Sequence, residues 1–152
     1  MTQATDPSLP ARWAREIDEL WDGASAFLKA LESRGSVQGA GGTLDVSNAT
    51  ITGSVFRVQF VANPRIVVGE PNLAMYCEFA FYAELRDKDI CIDTIYLSRN
   101  GKVLSAPREN SILGPIADLD NPDIGERILA ELALAIVQTP FFRPARPDWC
   151  DW

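Results

Sequence analysis

Any chemistry this chain performs has to be built without histidine, since its 152 residues contain none. That excludes Ser-His-Asp and Cys-His nucleophilic catalysis, histidine zinc sites and a histidine pH switch together. Among the groups that remain are carboxylates, tyrosines and three cysteines, Cys77, Cys91 and Cys150. A nucleophilic thiol needs a base or a cation beside it. Cys91 is instead expected across a strand pair from Glu84, which raises a thiol's pKa. Small buried hydrophobes describe these cysteines better, and an odd number of them fits a reducing compartment.

Two carboxylates, Glu84 and Asp93, are predicted to be diagonal cross-strand neighbours about 7–8 Å apart, within reach of the pairs used in glycoside hydrolysis. No nucleophile motif accompanies them. Asp118, Asp120, Asp123 and Glu126 cluster in sequence but lack the central glycine and terminal glutamate of a calcium loop, and helix capping accounts for them. The Gly39-Ala40-Gly41-Gly42 stretch leaves a helix and enters strands, the reverse of a phosphate-binding loop. No metal and no cofactor is expected, and the chain reads as a non-enzyme.

The elements that position these residues follow from periodicity. Apolar residues recur at Trp13, Ile17, Leu20, Trp21, Ala24, Phe27, Leu28 and Leu31, a helical stripe over 9–34 capped by Ser8 and stopped at Gly35. From Thr43 the period becomes two, which predicts antiparallel strands over 43–105: two to four before Leu73, then a meander over 73–105. Asn63-Pro64 reads as a turn ahead of Ile66 to Val68. Asn100-Gly101 reads as a type I′ hairpin turn. A second helix is predicted over 122–138 from Ile124, Ile128, Leu132, Ala135 and Ile136, with Pro140 ending it. The tail 139–152 alternates prolines with aromatics and is expected to dock on its own domain. One α+β domain over 1–152 results, its antiparallel sheet between two amphipathic helices, and a chain of this length buries roughly two thirds of its unfolded surface.

With the meander's first turn centred on Asp87-Lys88, Leu85 pairs with Ile90 and the two faces can be assigned. One is apolar: Cys77, Phe79, Phe81, Ala83, Leu85, Ile90, Ile92, Thr94, Tyr96 and Val103. The other carries Tyr76, Glu78, Ala80, Tyr82, Glu84, Cys91, Asp93, Ile95, Leu97 and Leu104, and its Tyr76, Glu78, Tyr82, Glu84 and Asp93 are the candidate binding site. Its rings supply contact area while its acids steer and pair Lys or Arg. A formal charge of −7 and a pI near 4.5 argue against nucleic acid and anionic membranes and favour a basic protein partner. There is neither a signal-peptide pattern nor a run of about 18 apolar residues, so a cytoplasmic location is expected. The expected function is non-catalytic protein binding, as an acidic immunity or inhibitor protein, or a chaperone-like one, for a basic toxin or effector. A small-molecule pocket between the sheet and the C-terminal helix, and a homodimer through the sheet, are the alternatives.

Overall fold

A computed structural model describes residues 8–33, 37–39, 41–69, 74–107, 112–115, 123–139 and 141–142. Helix α1 (Leu9–Ser33) precedes eight strands and helix α2 (Asp123–Ile136) follows them. The strands are β1 (Val37–Gly39), β2 (Gly42–Ser47), β3 (Thr50–Val55), β4 (Val58–Val68), β5 (Met75–Leu85), β6 (Lys88–Leu97), β7 (Lys102–Leu104) and β8 (Ile112–Pro115). They form one antiparallel meander in which each strand pairs with the next in sequence.

The predicted α+β class holds, with one change in its layering. Leu28 and Leu31 of α1 and Ile128, Leu129 and Leu132 of α2 belong to one buried cluster with Leu44, Ile51, Phe60, Phe79, Phe81 and Ile95. Those strand residues share a face by register. Both helices therefore cover the same side of the sheet instead of enclosing it. Rings interlock across the layers and within the sheet, Phe27 with Phe79 at 5.7 Å and Phe60 with Phe81 at 5.5 Å between centroids.

The turn expected at Asn63-Pro64 does not occur, because β4 runs unbroken through Pro64, which pairs with Phe79 of β5. By alternation, the position of Pro64's missing N–H faces β3, and β3 begins only at Thr50, whose hydroxyl bonds Asn63 Oδ1 at 3.0 Å. Pro64 lies just past the end of that ladder, so no rung is lost. The meander's first turn is Arg86-Asp87, one residue earlier than expected, and Leu85 pairs with Lys88. Asn100-Gly101 belongs to a longer turn. Gly101, at φ 79°, donates to the Ser98 carbonyl and Ser98 N–H bonds the Lys102 carbonyl, while Asn100 keeps a negative φ. That is the type I turn with a following left-handed glycine, not type I′.

The largest departure is a β-bulge. Tyr82 pairs with Cys91 but Phe81 pairs with Asp93, leaving Ile92 as the extra residue. A bulge of this kind reverses the side-chain parity of everything beyond it. Ile95 and Leu97, expected on the opposite face, therefore turn to the core, while Thr94 and Tyr96, expected in the core, lie on the other face. Of the tail, Phe141 packs against the core and Phe142 meets Phe56 edge-on at 6.1 Å. Residues 143–152, with Cys150, and the acids Asp118 and Asp120 lie outside the described residues.

Candidate functional site

The face of the sheet away from both helices can be read in rows across the strands. One row runs Asp45, Thr52, Val61, Tyr82 and Cys91 over β2 to β6. A second runs Arg65, Glu78, Tyr96 and Leu104 over β4 to β7. Ala80 and Thr94 pair between these rows, and Glu84 pairs with Asp89 beside the Arg86-Asp87 turn.

Four of the five predicted site residues, Tyr76, Glu78, Tyr82 and Glu84, share this face. Asp93 does not: the bulge turns it to the helix side, opposite Phe81, where Glu131 of α2 is its electrostatic neighbour. Burial raises its pKa, the Thr94 N–H donated to Oδ1 at 2.9 Å opposes that, and Glu131 adds to it. Glu84 and Asp93 thus lie on opposite faces, and the carboxylate pair imagined for glycoside hydrolysis is not assembled.

Glu78 is only 7% exposed, so a carboxylate there needs partners. Arg65 Nε donates to its Oε1 at 2.6 Å, and the Tyr96 hydroxyl bonds it as well. Burial pushes the Tyr96 phenol up, the Thr94 side chain pulls it down, and the bond to Glu78 raises it again. The Arg65 guanidinium is held charged by the same carboxylate. Tyr76 stands edge-on to Tyr96 at 6.4 Å. This end of the face is a closed, satisfied network.

The other end is open. Val61 and Tyr82, paired across β4 and β5, are 40% and 38% exposed. Asp45, Glu84 and Asp89 stand exposed on the same face and make no ion pair among the described residues. Cys91 is free and exposed beside Tyr82, while Cys77 is free and buried on the helix side, as the register requires. Burial pushes the Cys91 thiol up and Asp93 pushes it further, the wrong direction for a nucleophile. Glu84 is not its cross-strand partner, since Tyr82 occupies that position.

Arg65, Val61, Thr94 and Tyr96 are site residues that the sequence reading missed. Arg65 and Val61 become legible once β4 is continuous, because Val61, Asn63, Arg65 and Val67 then alternate onto one face. The spacing Ile90, Ile92, then Ile95, Leu97 carries the break of phase that moves Thr94 and Tyr96. No family model matches the chain, and no curated protein or solved structure matches it either. Among the described residues no helix is long and apolar enough to cross a membrane, and no group of three or more Cys, Asp or Glu is placed to hold a metal ion.

Proposed function

We propose that the protein is a non-catalytic binding module whose helix-free sheet face docks a basic protein, as an acidic inhibitor or a chaperone-like escort of a basic toxin or effector in the cytoplasm. The observation that carries this reading is the exposed Val61–Tyr82 pair bordered by Asp45, Glu84 and Asp89, three acids without cationic partners among the described residues. Exposed apolar surface rimmed by charge is the usual composition of a docking site. Acids at such a rim raise the association rate of a basic partner and reject acidic ones.

The alternative of a small-molecule pocket under α2 is less well supported. Ile124, Ile128, Leu129, Leu132 and Ile136 are all buried in the same cluster as the sheet's core face, which fills the space a ligand would use. The test is affinity capture from the source cell with the wild-type chain, a Tyr82→Ala, Glu84→Lys, Asp89→Lys variant, and a Glu126→Lys control altered on α2. Basic proteins retained by the wild type and the control, in a salt-sensitive manner, and lost by the face variant are the expected result. Equal yields of the same proteins from all three would refute the reading.

A further inference from the structure

The central ladder of the sheet stops short. Strands β4 and β5 pair from Val68 with Met75 as far as Val61 with Tyr82, although β4 begins at Val58 and β5 continues to Leu85. Over those last residues each strand is held only on its other side, by its own hairpin, Val55 with Val58 and Leu85 with Lys88. The pair flanking a two-residue hairpin exchanges both hydrogen bonds, and main-chain groups alternate outward from it. Val58 and Phe60 therefore turn their N–H and C=O groups to β3, and Leu85 and Ala83 turn theirs to β6. Gln59 and Glu84 are the residues whose main chains face each other, and that rung is not made. The two hairpins fork at the Val61–Tyr82 pair.

Elsewhere the sheet's edges are protected in familiar ways. Strand β1 has three residues and lies against α2, and β8 has four residues and ends in Pro115. Short, covered or proline-bearing edges resist strand addition. Among the described residues the fork has none of these devices, and the side chains of Gln59 and Glu84 are exposed beside it.

Resting on the basic-partner reading above, we propose that the partner enters this fork as an extended segment. Its main chain hydrogen-bonds Gln59 and Glu84, its alternate Lys or Arg side chains lie on the helix-free face against Glu84 and Asp89 beside Val61 and Tyr82, and the apolar residues between them turn to the helix side. Strand addition of this kind draws affinity from the main chain and specificity from every second side chain. Those groups are what the fork presents together.

The probe is a short synthetic peptide alternating lysine and valine, compared with the same peptide methylated at alternate backbone nitrogens, each titrated into the full chain and followed by amide NMR. The unmodified peptide is expected to shift the Gln59 and Glu84 amides and slow their hydrogen exchange. Methylation is expected to weaken binding about tenfold, the worth of one or two hydrogen bonds. If both peptides bind equally, or neither moves those two amides, the fork is not an entry site. Amides already protected in the free protein would overturn the proposal as well. In each of these cases the capture experiment with the Tyr82, Glu84, Asp89 variant decides separately whether the face binds a basic partner.

Discussion

Replacing Ala49 by glycine is expected to stabilise the protein. Three of the hairpins turn through Asn48-Ala49, Phe56-Arg57 and Arg86-Asp87, and all six residues have φ between 50° and 68°. Both central residues of a type I′ turn need this conformation, and glycine or asparagine normally supplies it. Asn48 suits its place, but Ala49 does not: a left-handed L-residue other than glycine or asparagine costs about 1–2 kcal/mol. Ala49 is exposed, so its methyl contributes little packing to lose. Glycine's greater freedom in the unfolded chain cancels about 0.4–1 kcal/mol of the gain. The net effect of Ala49→Gly is a stabilisation of about 0.5–1 kcal/mol, or about 1–4 °C in Tm for a chain of this length. Urea unfolding with an unchanged slope measures it, since a constant slope locates the effect in stability. Gly101→Ala, at φ 79°, is the matched control and by the same balance should lose about 0.5–1 kcal/mol. A lower midpoint for Ala49→Gly, or no loss for Gly101→Ala, would refute the reasoning from backbone conformation.

In a Cys150→Ser background, Cys91 should react with a thiol reagent in the folded chain, more slowly than an ordinary thiol because its pKa is raised, while Cys77, buried and pushed up to about 12, should react only when urea unfolds the chain. Asp93→Asn should raise the urea midpoint at neutral pH. The folded carboxyl titrates above its ordinary value of 3.8, so its contribution to stability is complete below that value and is lost as pH rises through the elevated one. The variant should show a shallower decline over that interval, and an unchanged pH profile would remove Asp93 as its cause. Arg99, in the turn after β6, bonds Glu16 at 3.0 Å and Glu19 at 2.9 Å on α1. Arg99→Ala should cost less than about 1 kcal/mol, because the pairs are solvent-exposed. The loss should vanish at high salt and be accompanied by faster amide exchange in the first half of α1.

The helices and most strands were legible because their periods differ and their stops are chemical: α1 and α2 fall within two residues of the expected ends. Two local rules misled. Proline in an apolar run signals a break, yet Pro64 sits where the neighbouring strand has ended and no partner misses its N–H. A single alternation was carried along β6, yet Ile92 adds a residue without a partner, and register depends on turn and bulge geometry that composition does not encode. The β5 residues assigned to one face do share it, because the bulge leaves that strand's parity alone. Asp93 was misplaced because it lies on the bulged strand. Two helices on one side could not be anticipated, since an amphipathic stripe says which face a helix buries and nothing about which side of a sheet receives it.

Among the described residues strand pairing never joins elements distant in sequence; α1 against β4, β5 and β6, and α2 against β1, β2 and β3, supply most of the contacts that do. A sheet wired only between consecutive neighbours behaves as a linear array, able to fray from either end with little effect on the other, as in repeat proteins. The two helices convert that array into one cooperative unit. Unfolding should accordingly be a single transition: in a Trp149→Phe, Trp152→Phe background, the fluorescence of Trp13 and Trp21 on α1 and the circular dichroism of the sheet should change together, and separate midpoints would show that the strands hold without the helices.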